Sequence, residues 1–166
     1  MNQNRVVRTC FIMAVVITLS AGLAFGTELY IPQIKTTAGQ TVEIPVMIDQ
    51  IDNLAGIKLK LKYDPNILEF MEGTKTKHTS PLMHVVNDKN PGVLIIVMAG
   101  AKGIKGKEIA LFLLKFKTHK DLKSQIATKL SITELQLMSD ALKDVNCTTR
   151  VNEVLISPQP GQAGTK

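Results

Sequence analysis

The stretch Thr41-Val42-Glu43-Ile44-Pro45-Val46-Met47-Ile48-Asp49 carries apolar side chains at every second position, starting with its second residue. An alternation with a period of two predicts a β-strand that buries one face and exposes the other. Pro45 has no backbone N–H to donate to a neighbouring strand. We therefore expect this strand at the edge of a sheet or beside a β-bulge.

A second alternating stretch, Ile57-Lys58-Leu59-Lys60-Leu61-Lys62-Tyr63, follows it. Its apolar residues and Tyr63 share the inward parity, so Lys58, Lys60 and Lys62 form a row of three ammonium groups on the outer face. The sequence Asp64-Pro65-Asn66 then predicts a turn, because proline fixes its own φ and the Asp and Asn side chains bond to the nearby backbone.

Further strands are predicted along the rest of the chain. Residues 93–98 are apolar at six successive positions, which indicates a strand with both faces covered or one whose outer face awaits a partner. The glycine-rich residues 100–106 predict a mobile hairpin connection. The other predicted strands are a short one at 83–86 and those at 109–117, 129–137 and 151–156. Without a long apolar stripe of helical period, the pattern predicts an all-β sandwich.

The two ends of the chain differ from its middle. Residues 1–26 combine a basic start, an apolar run and small residues before a cleavage point, which predicts a signal peptide and a secreted protein, extracellular or periplasmic. The apolar run is short for a membrane anchor, so we expect no membrane association once it is removed. Residues 158–166 have the composition of a flexible tail. Residues 27–157 are left as one domain, of ordinary size.

Composition narrows the possible functions. The chain has 166 residues, of which 45% are hydrophobic and 20% charged, as in a globular protein. Its formal charge of +6 falls to +4 without the signal peptide, and Cys147 is then the only cysteine, which excludes an internal disulfide. The lysine row has no aromatic residues between its members, so nucleic acid is not an expected partner.

No pattern of a catalytic or metal site is present. His78, His84 and His119 have neither a helical pair spacing nor a Cys-x-x-Cys clamp, and we interpret the first two as solvated loop residues. No nucleophile elbow or phosphate loop occurs, so we predict that the protein is not an enzyme. Only 4% of residues are aromatic and tryptophan is absent. Tyr30 and Tyr63 alone are too few to form a flat aromatic platform for binding sugars.

Several blocks of the sequence resemble cohesin modules. These are Ala38-Gly-Gln-Thr-Val-Glu-Ile-Pro-Val46, Asn53-Leu-Ala-Gly56, Leu61-Lys-Tyr-Asp-Pro-Asn-Ile-Leu-Glu-Phe70 and Leu130-Ser-Ile-Thr-Glu-Leu-Gln-Leu137. The resemblance extends from about Leu29 to Ser157. It implies a nine-stranded jelly-roll β-sandwich without catalytic activity. It also implies docking of a dockerin-bearing protein in extracellular polysaccharide breakdown, with calcium held by the dockerin and no cofactor or metal in this chain.

In the family, the dockerin lies on the flat face of a sheet that here would include residues 56–63 and 93–98. The resemblance therefore implies a mixed binding face, in which lysine stems lie beside apolar side chains. Its predicted members are Gly56, Lys58, Lys60, Lys62, Leu94, Ile96 and Met98.

This chain departs from many cohesins, which carry Asn or Asp where it has Gly56 and Lys58. The departure puts the fit of a standard dockerin in question, since like charges can exclude a partner. No repeated cohesin, cellulose-binding module or surface-layer anchor is recognised, so we expect a stand-alone adaptor. Two alternatives stay open, namely direct polysaccharide binding by the jelly roll and a structural envelope or adhesion subunit.

Overall fold

The structure is a computed structural model that describes residues 26–120, 122 and 124–159. The predicted signal peptide lies outside the described residues except for Gly26, as does most of the predicted tail. The described part contains strands, turns and loops but no helix, and so no helix of the length and hydrophobicity of a membrane span. Its strands are β1 (Thr27–Ile31), β2 (Ile34–Thr37), β3 (Thr41–Lys62), β4 (Leu68–Lys75), β5 (Met83–Asn87), β6 (Val93–Thr118), β7 (Ile126–Thr128), β8 (Ser131–Ser139), β9 (Cys147–Val151) and β10 (Val154–Ser157).

Two long antiparallel strands, β3 and β6, form the frame of the fold. Residues 41–52 of β3 pair with residues 105–117 of β6, and residues 56–62 pair with residues 93–99. The register between the strands shifts twice between Asp52 and Gly56, where the two strands pass a common corner. Each long strand therefore contributes one segment to each layer of a sandwich, in agreement with the all-β sandwich that the sequence pattern predicts and the jelly roll that the resemblance implies.

Two layers follow from this corner. The first, called here the lysine sheet, has the order β8, residues 56–62 of β3, residues 93–99 of β6, and β5. The second, called the opposite sheet, has the order β4, residues 105–118 of β6, residues 41–52 of β3, β1 and β9. A smaller sheet of β2, β10 and β7 contributes buried Val154 and Ile156 to the core.

The core lies between the layers and contains the inward-facing residues of both. Ile57, Leu59 and Leu61 of the lysine sheet belong to the same buried cluster as Ile44 and Phe116 of the opposite sheet. The ring of Phe116 is fully buried and makes edge-to-face contacts with two neighbouring aromatic rings. The period of two in the sequence thus corresponds to burial of alternate residues.

The prediction for the glycine-rich stretch is wrong. Residues 100–106 are not a hairpin connection but the bend within continuous β6, paired with β3 at Ile104, Lys105 and Gly106. Gly103 permits this bend, because a Cβ atom at that position would lie only 1.8 Å from Oδ1 of Asn53. The sequence could not show that the predicted strands at 41–49 and 57–63 are parts of one bent strand, β3. Nor could it show that those at 93–98 and 109–117 are parts of another, β6.

The expectation for Pro45 is confirmed. The β3–β6 register shifts between Val46 and Met47, one residue beyond the proline. A register shift of this kind is a β-bulge or irregularity, where the missing N–H of proline is tolerated. The short strand predicted at 83–86 is also present, as β5.

Candidate partner-binding face

The lysine row lies on the outer face of the lysine sheet. Lys58 and Lys62 are exposed and Lys60 is half-buried, while the intervening Leu59 and Leu61 are fully buried. The strand β3 holds this row at regular intervals, because side chains that alternate along a strand repeat every two residues, about 7 Å apart. The row occupies an interior strand, flanked by β8 on one side and β6 on the other.

The expectation that Leu94, Ile96 and Met98 lie beside the lysines on this outer face is wrong. They are directly opposite Leu61, Leu59 and Ile57 in the β3–β6 register, and at most 1% of each side chain is exposed. Residues directly opposite each other on antiparallel strands share a face, so these three belong to the core.

The other parity of β6 supplies the outer face instead. Val93, Ile95 and Val97 are directly opposite Lys62, Lys60 and Lys58. The sequence leaves two possibilities for residues 93–98, a strand with both faces covered or one whose outer face awaits a partner. The second one holds, since this strand has one buried face and an outer face that no described residue covers.

Strand β5 extends the apolar part of this face. Met83 and Val85 are 77% and 66% exposed, and Val85 is directly opposite Val97, which is 42% exposed. These are three of the five exposed large apolar residues among the described residues. We call Met83, Val85, Ile95 and Val97 the apolar strip. The sequence does not reveal this strip, because a run of six apolar residues does not show which alternate set is buried.

A shallow depression of about 160 Å³ lies at the Gly56 end of the lysine sheet and is lined by residues of β8, β3 and β6. Gly56 forms part of its lining with Lys58, Val97, Gln136 and Met138. A Cβ atom at Gly56 would lie 3.2 Å from Cβ of Met138, so the absence of a side chain keeps the depression open. The predicted site residue Gly56 therefore lies on the same face as the lysines.

One lysine of the row is paired within the chain. Nζ of Lys58 lies 2.5 Å from Oε1 of Glu134 on β8. This hydrogen bond and the lysine charge lower the pKa of the Glu134 carboxyl, and the charge of Lys60 adds to the effect. Among the described residues, Lys60 and Lys62 form no ion pair of their own.

The two tyrosines do not form an open platform. The guanidinium carbon of Arg150 lies 4.7 Å from the centre of the Tyr30 ring. The Tyr30 hydroxyl donates a hydrogen bond to Glu108 at 2.5 Å, and this bond raises the pKa of Tyr30 to about 12. Tyr63 is half-buried with its ring 5.1 Å from that of Phe116. The expected inward position of Tyr63 is confirmed.

The remaining candidate residues are dispersed. Cys147 is half-buried on β9, and burial raises the pKa of its thiol to about 11, so the thiolate that would act as a nucleophile is disfavoured. His84 is exposed and His78 half-buried. Within the described ranges, no group of three or more His, Cys, Asp and Glu residues is arranged to hold a metal ion.

The chain is similar to a non-cellulosomal cohesin from the archaeon Archaeoglobus fulgidus, with 21% identity, a TM-score of 0.71, and coverage of 81% of this chain and 93% of the other. It is also similar to the cohesin Coh-OlpC in a type I cohesin-dockerin complex from Clostridium thermocellum, with 17% identity, a TM-score of 0.73, and coverage of 81% and 95%.

A third similar structure is the sixth cohesin of scaffoldin B from Acetivibrio cellulolyticus, in complex with a mutant Cel5 dockerin. Its identity is 18%, its TM-score is 0.71, and the alignment covers 81% of this chain and 99% of the other. No curated protein sequence matches the chain. The sequence model of the family described as "Cohesin domain" matches residues 27–156. The chain therefore belongs to the cohesin domain family, whose members are binding modules and not enzymes.

Proposed function

We propose that the protein is a secreted, non-catalytic module that docks a dockerin-type partner on the outer face of the lysine sheet. The observation that carries this proposal is the apolar strip, whose exposed residues Met83, Val85 and Val97 lie on the adjacent strands β5 and β6 of one sheet. Exposed apolar residues are ordinary when scattered, but a contiguous group beside polar residues is typical of a protein-binding surface.

The comparisons support the class of partner. Two of the similar structures are cohesins in complex with dockerins, and both have TM-scores above 0.7 to this chain. The lysine row and Gly56 belong to the same outer face as the apolar strip, so the face combines apolar area with charged groups at its side. This combination suits a protein partner, in which charges determine orientation and specificity.

Calcium is assigned to the partner in this proposal. The described part of the chain has no acidic cluster arranged for a cation, whereas the dockerin expected from the family resemblance carries calcium. Capture of the partner should then depend on calcium through folding of the dockerin, since ligands that bind only the folded state stabilise it. We further propose that the complex acts outside the cell in polysaccharide breakdown, as the signal-peptide pattern and family resemblance suggest.

The test is a binding assay with the module comprising residues 27–166, which contains all of the buried core from Leu29 to Ile156. Purified dockerin-bearing proteins from the same organism are passed over the immobilised module in calcium or in a chelator. We expect capture in calcium, loss of capture in chelator, and weakened capture by the variant Lys58→Glu/Lys60→Glu.

A matched control is Lys35→Glu/Lys107→Glu, which changes the charge equally at exposed residues outside the lysine sheet. It should capture as the unmodified module does. If no dockerin-bearing protein is captured in either condition, the proposed role is wrong. If both double variants weaken capture equally, the lysine sheet is not the binding face.

A further inference from the structure

We propose that the partner surface that docks on the lysine sheet is an acidic amphipathic helix, with a row of carboxylates beside an apolar stripe. This inference rests on the proposed function and specifies the partner's chemistry. It begins with the charges of the face. Lys58, Lys60 and Lys62 of β3 face outward beside a single carboxylate, Glu134 of β8, so the outer face has a net charge of +2.

The internal ion pair leaves two cations for a partner. Glu134 accepts from Lys58 at 2.5 Å and so neutralises the first lysine of the row. Lys60 and Lys62 have no carboxylate within 4.0 Å in the described part of the chain. Their directly opposite neighbours on β6 are the apolar residues Ile95 and Val93, which offer no counter-charge. On β8, Glu134 lies opposite Lys60, but this carboxylate is already paired with Lys58. A docked partner that excluded water without supplying carboxylates would leave these ammonium groups uncompensated.

The geometry of the face matches a helix. Lys60 and Lys62 lie two residues apart on one strand, a spacing of about 7 Å. Side chains at positions i and i+4 on a helix have Cβ atoms about 6 Å apart, so two carboxylates with that spacing can reach both lysines. The apolar strip begins one strand away, about 5 Å to the side. A helix with a diameter of about 10 Å can cover both rows together.

Charge also distinguishes this partner from a second copy of the chain. Two lysine sheets placed face to face would bring like charges of +2 together, which opposes self-association. An acidic helix instead offers charge complementarity to Lys60 and Lys62 and an apolar stripe for Met83, Val85 and Val97. Anionic vesicles would satisfy the lysines as well, and they form a separate arm of the test.

The experiment measures the affinity of the module for the calcium-loaded dockerin captured above, at low and high salt. We expect the affinity to fall as salt rises, because screening weakens exposed charge pairs. Lys60→Glu/Lys62→Glu should bind about 100-fold more weakly, since it places like charges across the interface. Lys35→Glu/Lys107→Glu should bind as the unmodified module does.

The variant Glu134→Gln should change the affinity for the dockerin in the opposite direction. Removing this carboxylate frees Lys58 and removes the one negative charge of the face, so the affinity should rise about two- to fivefold. Glu153→Gln is the matched neutralisation control, because Glu153 is exposed and lies next to β10, outside the lysine sheet. If Glu134 serves only to hold β8 in place, Glu134→Gln should bind the dockerin more weakly than the unmodified module, or not at all.

The outcomes separate the two proposals. If the dockerin binds in a calcium-dependent manner but its affinity is insensitive to salt and to Lys60→Glu/Lys62→Glu, the acidic-helix inference is overturned and docking itself is retained. Equal or tighter binding to vesicles of anionic phospholipid would overturn the inference in favour of a membrane surface. If no dockerin binds, both proposals fail.

Discussion

Lys58 forms its ion pair with a diagonal neighbour, not with the residue directly opposite. In the β3–β8 register Lys58 lies opposite Gln136, and Lys60 lies opposite Glu134, yet Nζ of Lys58 is 2.5 Å from Oε1 of Glu134. Diagonal positions on paired strands are within reach of long side chains. Because Glu134 pairs with Lys58, the ammonium group of Lys60, in the middle of the row, is available to a docked partner.

The Lys58–Glu134 pair should contribute little to stability. Both side chains are nearly half exposed, at 47% and 44%, and solvent screens such pairs. We expect Glu134→Gln to leave the denaturant midpoint unchanged near neutral pH. Because the pKa of Glu134 is lowered in the folded state, any contribution is present above its unfolded pKa and is lost as the pH falls through its folded pKa.

Urea unfolding of Glu134→Gln and of the unmodified protein, at neutral pH and at acidic pH, checks this. Curves that coincide at neutral pH are expected. A large loss of stability at neutral pH in the variant would show that the pair is structural, and it would weaken the assignment of Glu134 to control of binding.

The same substitution at two adjacent residues of β6 should mainly lower stability at one position and mainly weaken binding at the other. Ile96 is 1% exposed within the core, so Ile96→Asn should lower the free energy of unfolding by about 3 kcal/mol, because it buries an amide among apolar groups. Val97 is 42% exposed on the apolar strip, so Val97→Asn should cost about 1 kcal/mol or less but weaken dockerin capture.

Each variant serves as the control for the other, since the substitution is the same and the positions are neighbours. The measurements are urea unfolding and dockerin affinity. Unfolding of Val97→Asn under conditions in which Ile96→Asn stays folded would contradict the observed parity of the strand.

Gly103 should be essential to the corner. A Cβ atom there would lie 1.8 Å from Oδ1 and 2.6 Å from the carbonyl carbon of Asn53, and the backbone of Asn53 cannot move away without disturbing β3. We expect Gly103→Ala to lower the free energy of unfolding by about 3 kcal/mol or more. Gly73→Ala is the control, since the atoms nearest to its added Cβ atom belong to side chains and lie 3.1 Å or more away. Equal stability of the two variants in urea would show that the corner tolerates a side chain.

Tyr30 should ionise at an unusually high pH. Its hydroxyl donates to Glu108, and this hydrogen bond, followed by burial, raises its pKa from 10.0 to about 12. The neutral tyrosine therefore stabilises the folded state below pH 10.0, and this contribution is lost as the pH rises through about 12. Ultraviolet titration of Tyr63→Phe isolates Tyr30, because the chain has two tyrosines and no tryptophan.

The control for this titration is Glu108→Gln in the Tyr63→Phe background. Loss of the carboxylate should move the Tyr30 pKa back towards 10.0. An ordinary titration of Tyr30 in the presence of Glu108 would contradict the hydrogen bond.

The period of two at Ile57, Leu59 and Leu61 was sufficient to predict which face of that strand is buried and that Lys58 and Lys62 are exposed. The alternation is a local property, because side chains of a strand point to opposite faces in turn. The family resemblance and the all-β class also followed from residues that are close in the chain. The predicted signal peptide and tail lie largely outside the described residues and stay predictions.

The uniform run at 93–98 carried no such information. The resemblance implies that Leu94, Ile96 and Met98 lie on the binding face, but the β3–β6 register places them in the core and turns Ile95 and Val97 outward. A shift of one residue would exchange the two sets, and only pairing with the alternating strand decides between them.

The sequence by itself determined a β-sandwich of the cohesin family and a row of outward lysines, because periodicity and local motifs are written in neighbouring residues. Only the tertiary structure decided what lies beside that row. The bend at Gly103 brings residues 93–99 next to the lysines, β5 adds Met83 and Val85, and β8 adds Glu134. These are contacts between residues far apart in the chain, and they depend on register and on the corner, which no local pattern encodes.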